Sequence, residues 1–387
     1  MAKFAAKRLD NLPPYLFAEI DRKKAALVAQ GHDVISLGIG DPDKPSFPRV
    51  VDAMIEAVKK PSNHCYPSYA GAPAYRRACA QFLQTRFGVE VNPDTEVLGM
   101  IGSKEGIANL FPAFVDPGAY TLIPGVGYPV YSGGAILNDS LSWWMPMKEE
   151  NDFLADFEST PAEVLAAAQM MIISYPNNPT SAVAPPEYFD RAIAFAREHG
   201  LLLIHDNAYC DIAYDGFKPT SILERPGALE CCLELFSTSK SYNMTGWRCA
   251  FAAGNADAID TFGIVKSNID SGIFTAIQEA AIEAFTGPQD EVHEMAALYE
   301  RRRNLVLAAL DAMGLDYHYP RGTIFMWVKV PEGYTSAQYA EKVLTEAHVI
   351  VAPGNAYGPD GEGYFRISLA CDDDRLIEAL ERLRNLD

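Results

Sequence analysis

No two of the seven cysteines stand in a Cys-x-x-Cys spacing, so neither a disulfide framework nor a cysteine-based zinc site is expected. The cysteines read instead as small buried hydrophobes. The seven histidines show no metal-ligand spacing either, and no metal is expected. Positive charge is scarce: 32 Lys and Arg against 51 Asp and Glu give a net charge of −19. That balance opposes a broad nucleic-acid interface, because phosphates demand a basic surface, and any anion site must be local. No apolar run approaches the roughly 20 residues of a membrane span, and Met1–Arg8 has no sustained apolar segment of the signal-peptide kind. A cytoplasmic protein without membrane or nucleic-acid partners is expected. Internal repeats and low-complexity linkers are also missing, which predicts lobes packed tightly together.

What the chain does have is apolar material: 49% of its 387 residues are hydrophobic, enough for a large domain and a smaller one. From about residue 97 to 255, short apolar runs bounded by turn residues alternate with helical stretches. The runs are Val97–Ile101, Ala119–Ile123, Met170–Ser174, Leu201–His205 and Leu233–Ser237. This alternation predicts a parallel sheet with crossover helices. A long helical stretch from about Asp257 to Phe285 follows, and then a helix, two or three strands, a helix, a strand and a final helix. Ile324–Val330 and Tyr364–Leu369 are strands of this last part. The expected fold is α/β: a large domain (46–287) with a mostly parallel central sheet flanked by helices, plus a smaller α+β domain (288–387). Residues 1–45, with a helix at about 14–30 and the loop Leu37-Gly38-Ile39-Gly40-Asp41-Pro42, are expected to pack with the small domain.

The chemistry concentrates in Ser237-Thr238-Ser239-Lys240-Ser241-Tyr242-Asn243-Met244-Thr245-Gly246-Trp247-Arg248. A lysine amine can form an imine with an aldehyde cofactor, while Ser237 and Arg248 can supply a hydrogen bond and a permanent positive charge to a phosphate dianion. Lys240 would then anchor the cofactor and, once released, act as a general base. Further candidates follow the predicted strands, where open parallel sheets bind ligands. Gly102-Ser103-Lys104-Glu105-Gly106 opens a helix whose free N–H groups could hold a phosphate, although a Gly-Ser turn is also an ordinary cap. Tyr128, in Pro124-Gly125-Val126-Gly127-Tyr128-Pro129, could lie flat over a cofactor ring or belong to the core. Asn178, in Tyr175-Pro176-Asn177-Asn178-Pro179, could donate to a ring oxygen, or mark a plain turn. In His205-Asp206-Asn207-Ala208-Tyr209, Asp206 could pair with a protonated pyridine nitrogen; at about 3 Å and an effective dielectric near 20 this attraction is on the order of 5 kcal/mol. Tyr209 could hydrogen-bond the ring oxygen. Arg366, on the Tyr364–Ser368 strand, could grip an α-carboxylate with two parallel hydrogen bonds.

In this order, from Leu12-Pro13-Pro14-Tyr15 to the last helix, the motifs resemble the fold-type I, class I/II aminotransferases. The resemblance implies the PLP-dependent transferase fold, pyridoxal 5'-phosphate as cofactor, and an amino-acid donor with a 2-oxo-acid acceptor such as 2-oxoglutarate. It also implies a homodimer with shared active sites, in which Tyr66 reaches the phosphate of the neighbouring subunit's cofactor, and it sets Gly40 beside the substrate. Ser267–Phe274 and the stretch from Pro353 to Arg366 are similar to the bacterial and archaeal LL-diaminopimelate aminotransferases. That likeness implies a lysine-biosynthesis step in which glutamate aminates tetrahydrodipicolinate, with Tyr15 and Lys104 touching the distal part of the substrate. The chain departs from the family pattern at Ser181 and at Ala250, which stands two residues after Arg248 where glycine is usual, and Tyr69 stands where the plant-type enzymes carry glutamate. Aspartate, alanine or aromatic transamination, and a carbon–sulfur β-lyase on the same fold, remain alternatives. A cofactor-binding regulator would carry a basic domain ahead of this region, and none is expected here.

Overall fold

The computed structural model describes residues 4–13 and 16–386, and for residues 16–21 the backbone alone. Strand β1 (Ile35–Ser36) precedes the large domain, which contains β2 (Val97–Met100), β3 (Tyr120–Pro124), β4 (Leu141–Met145), β5 (Ala168–Ile173), β6 (Leu202–Asp206), β7 (Cys232–Ser237) and β8 (Ala250–Gly254). These seven form one sheet in the order β2-β8-β7-β6-β5-β3-β4. All of them run in one direction except β8, which is antiparallel to both of its neighbours. Every residue of β2, β7 and β8 is buried, as expected of strands covered by helices on both faces. One apolar layer gathers Phe82, Phe236 and Phe251, and the opposite layer gathers Leu110, Phe111 and Phe262.

Two strands were not anticipated. β4 has its first four residues at least partly exposed, and its Leu-Ser-Trp-Trp-Met sequence lacks the continuous aliphatic run that marks its neighbours. β8 is Ala-Phe-Ala-Ala-Gly, short of β-branched residues, and is made a strand by the partners on either side. The predicted helix over 257–285 is two helices, Ala256–Ile269 and Thr275–Thr286. The break is local chemistry: Asp270 Oδ1 accepts the Gly272 N–H at 2.6 Å, and Gly272 adopts φ +89°, a bend that a continuing helix cannot make.

The small domain has β9 (Tyr317–His318), β10 (Phe325–Lys329), β11 (Val349–Ile350), β12 (Ala352–Pro353) and β13 (Tyr364–Ser368), with helices Asp290–Met313, Ser336–Ala347 and Asp373–Arg384 around them. Three short strands therefore stand where one was expected before the final helix. Thr335 caps the middle helix, its hydroxyl accepting the Gln338 N–H while the Gln338 side chain returns to the Thr335 backbone. β1 pairs in parallel with β11, and Ile35 and Leu37 enter the small-domain core. Arg302, fully buried, grips Asp43 through both terminal nitrogens at 2.7 and 2.9 Å and Asp373 through Nε at 2.7 Å, joining the N-terminal loop to two small-domain helices. Farther back, Arg8 pairs with Asp139 of the large domain. Among the described residues no helix is long and apolar enough to cross a membrane. All seven cysteines are free, but only Cys79, Cys210, Cys232 and Cys249 are buried; Cys65 is exposed, and Cys231 and Cys371 are partly so.

Candidate active site

The carboxyl ends of β2, β3, β5, β6 and β7 face a cavity of about 440 Å³ that is closed from the other side by Ile39, Gly40, Phe325 and Arg366. Lys240 enters it from the short helix Thr238–Ser241 that continues β7. Its Nζ donates to the carbonyl of Gly40 at 2.5 Å. Burial drives this amine down to about 8, reinforced by Arg366 and Arg248 and partly opposed by Asp41. A lysine so placed holds far more neutral, nucleophilic amine near physiological pH than an ordinary lysine does.

Asp206 ends β6 on the cavity floor. Burial raises its carboxyl above the ordinary aspartate range, while the Tyr131 hydroxyl and His205 pull it back. Tyr131 donates to Oδ2 at 2.7 Å, but Oδ1 is buried with no hydrogen-bond partner among the described residues. A buried carboxylate oxygen left in this way calls for a donor, and the protonated ring nitrogen of pyridoxal phosphate is such a donor.

The phosphate end lies where β2 turns into the helix Ser103–Phe114. Gly102 sits at φ +81°, and a Cβ there would fall 2.1 Å from Arg248 Nη2. Only glycine lets the guanidinium come this close to the helix N-terminus. Arg248 is steadied by donating from Nη1 to Thr245 O at 2.7 Å. Ser103, Lys104, Ser237, Ser239 and Thr245 line the same end, so hydroxyls, helix N–H groups and one fixed cation converge there as a dianion requires. The residues present fit the cofactor that the motifs imply.

At the opposite end Arg366 is fully enclosed. Its Nη1 donates to Asn178 Oδ1 at 2.9 Å and its Nη2 to Gly38 O at 2.6 Å, while Nε is buried without a partner. The guanidinium lies 3.9 Å from the centroid of Phe325 and 4.9 Å from that of Tyr357, and burial lowers its pKa from the usual arginine value. Tyr209 stands edge-on to Phe325 with ring centroids 5.8 Å apart, its hydroxyl pushed up mainly by burial. Tyr128 meets Tyr131 at right angles, centroids 6.2 Å apart.

The structure thus gathers Lys240, Ser103, Lys104, Tyr128, Asn178, Asp206, Tyr209, Ser237, Arg248, Arg366 and Gly40 around one cavity. Tyr66 is not among them: it is 90% exposed. Tyr69 is half exposed on the same loop, and Tyr15 lies outside the described residues. Sequence reasoning missed Tyr131, Asp41 and Phe325. Tyr131 follows Tyr128 by three residues at the start of the helix Val130–Leu137, a same-face spacing that was the available signal. Among the described residues no cluster of His, Cys, Asp and Glu could hold a metal ion.

Residues 32–383 match the family described as aminotransferase class I and II. The LL-diaminopimelate aminotransferase of Desulforudis audaxviator is 52% identical over 384 residues, covering 99% of this chain and 98% of that protein. LL-diaminopimelate aminotransferase 2 of Trichormus variabilis is 48% identical, covering 98% of each. Among solved structures, substrate-bound BacF from Bacillus subtilis superimposes with a TM-score of 0.96 at 35% identity, covering 99% of this chain and 98% of BacF.

Proposed function

Because the chain belongs to the class I and II aminotransferases, which are pyridoxal-phosphate-dependent transaminases, we propose that it acts as an LL-diaminopimelate aminotransferase. In that reaction glutamate is the amino donor and LL-diaminopimelate and 2-oxoglutarate are the products. The observation that supports the transaminase site most directly is the buried Lys240 amine, lowered to about 8, in one cavity with the unpartnered Oδ1 of Asp206. Whole-length identity of 52% to an enzyme of that name supports the substrate.

When bound, pyridoxal phosphate supplies the electrophilic carbon and the electron sink. Lys240 anchors it, then takes and returns the proton of the amino acid's Cα. Asp206, through Oδ1, would hold the ring N–H and keep that nitrogen charged; Asn178 and Tyr209 would serve the ring oxygen, and Tyr128 would cover the ring. Ser103, Lys104, Ser237 and Arg248 hold the phosphate. Arg366 binds the α-carboxylate and Gly40 lies beside the substrate; a Cβ there would fall 2.3 Å from the Phe325 ring, so only glycine lets that ring pack against the loop. Residues 46–287 carry the cofactor, 1–45 pack with the small domain 288–387, and the likeness to LL-diaminopimelate aminotransferases makes Tyr15 and Lys104 candidates for contacts to the distal part of the substrate. We place the protein in the cytoplasm, and we read it as a homodimer because Tyr66 is exposed, away from its own cavity, where it can serve a second copy.

The test is a screen of amino donors against 2-oxoglutarate with the purified enzyme, read by the change in the cofactor's visible absorption. Fast turnover of LL-diaminopimelate is expected. Brisk turnover of aspartate or alanine with none of LL-diaminopimelate would overturn the substrate assignment and leave transamination standing.

A further inference from the structure

Strand β7 carries an oddity. Within Cys-Leu-Glu-Leu-Phe-Ser, in which every residue is buried, Glu234 is a fully buried carboxylate that has no place in the cavity. Among the described residues it has no arginine or lysine partner. Instead its Oε1 accepts from His205 Nδ1 at 2.8 Å and from Asn207 Nδ2 at 2.8 Å. Those two residues are the immediate chain neighbours of Asp206. The Ile222 N–H adds a third donor to Oε1 at 3.4 Å, and the Ser221 hydroxyl donates to Oε2. All four side chains are fully buried.

The clamp reaches farther through His205. Its Nε2 lies 3.0 Å from the carbonyl oxygen of Tyr175 and 3.4 Å from the Tyr175 nitrogen, so with Nδ1 donating to Glu234 it accepts the Tyr175 N–H or, in the doubly protonated ring, donates to that carbonyl. Tyr175 leads into the loop that carries Asn178. On the other side, Ser174 Oγ donates to the Asp206 carbonyl at 2.9 Å, tying the same two strand ends together. Strand alternation explains the arrangement: Asp206 points into the cavity, so His205 and Asn207 fall on the opposite face of the sheet, the face from which Glu234, the register partner of His205, also projects.

We infer that Glu234 is a positioning residue, a buried acceptor that grips both neighbours of Asp206 and, through His205, the start of the Asn178 loop. It thereby fixes Asp206 Oδ1 and Asn178 relative to each other and to the bound cofactor. This inference rests on the cofactor reading above. Burying a carboxylate in a central strand is costly unless its oxygens are fully hydrogen-bonded, and four donors meet that need here.

The test compares single cuts in the clamp. Asn207→Ala removes one arm on Asp206's neighbour; Ser221→Ala removes one donor to the same carboxylate without touching either neighbour. Each purified enzyme is stripped of cofactor, titrated with pyridoxal phosphate by visible absorption, and melted in its cofactor-free form. N207A is expected to weaken cofactor binding about fivefold to tenfold, the worth of one hydrogen bond, while S221A stays within about twofold, with both cofactor-free forms losing comparable melting temperature. Glu234→Gln, which keeps an acceptor at Oε1, should bind within about threefold of wild type, and Glu234→Ala, where it folds, should lose more than tenfold. Equal cofactor affinity in N207A and S221A would overturn the inference and leave Glu234 a purely structural residue. If the wild-type chain took up no cofactor, the underlying reading would fail instead.

Discussion

Replacing Lys240 by methionine should stabilise the cofactor-free protein near neutral pH, by an amount that shrinks as the pH rises. Burial lowers the amine to about 8 in the fold, against 10.5 for an ordinary lysine. Between those values the unfolded chain binds more protons than the native one, so wild-type stability climbs with pH across the window, at about 1.4 kcal/mol per unit where the difference approaches one proton. Integrated over the whole shift, the native state at pH 7 carries a penalty of about 3 kcal/mol relative to alkaline solution. Methionine has no such titration and a similar length. It forfeits the hydrogen bond from Nζ to Gly40 O, a loss of about 1 kcal/mol that does not depend on pH. The net gain for K240M is therefore about 2 kcal/mol at pH 7, and the wild type should recover about 2 kcal/mol relative to it between pH 7 and 9.5. Urea unfolding of both cofactor-free proteins at several pH values measures this difference directly, since every other titrating group cancels. A stability difference that stays flat from pH 7 to 9.5 would refute the claim that burial depresses Lys240. Turnover by K240M should be almost abolished at every pH.

Asp206→Asn keeps the shape and removes the charge; from an attraction on the order of 5 kcal/mol, of which solvation offsets part, kcat should fall about 10²-fold to 10³-fold, and unchanged kinetics would contradict the ring-nitrogen pairing. Arg366→Ala should lower kcat/KM by about 10²-fold or more for every amino acid and 2-oxo acid, as the loss of two charge-assisted hydrogen bonds demands; a defect confined to one substrate would make it a reader of the distal group instead. Gly102→Ala places a methyl 2.1 Å from Arg248 Nη2 at φ +81°, so equilibrium titration should show pyridoxal phosphate binding weakened at least about tenfold, with a strain cost of about 1–2 kcal/mol in the cofactor-free form.

Much of the site could be read before the fold because open parallel sheets deliver short loops to one edge, and polar residues directly after apolar runs therefore converge. Ser103, Asn178, Asp206 and Lys240 each follow a run that forms β2, β5, β6 or β7, and all four line the cavity. Tyr131 and Glu234 escaped because their roles depend on contacts between segments distant in sequence: Tyr131 reaches Asp206, 75 residues on, from a helix. Glu234 faces His205 only through the β6–β7 register, and a lone Glu in an apolar run carries no local mark of that. β8 escaped for a similar reason, since alanine-rich sequence becomes strand only between two willing neighbours.

Sequence alone determined the chemistry: a lysine in a hydroxyl-rich turn, an aspartate and an asparagine after buried strands, and two arginines, all in a fixed order, name the reaction because each group's capability is intrinsic to its side chain. Environment is not intrinsic. That Lys240 titrates near 8 rather than 10.5, that Asp206 keeps one oxygen without a partner, and that Glu234 clamps both of its neighbours were decided only by the tertiary structure. Desolvation and hydrogen-bond satisfaction depend on which distant segments exclude water from a group and which donors they bring to it.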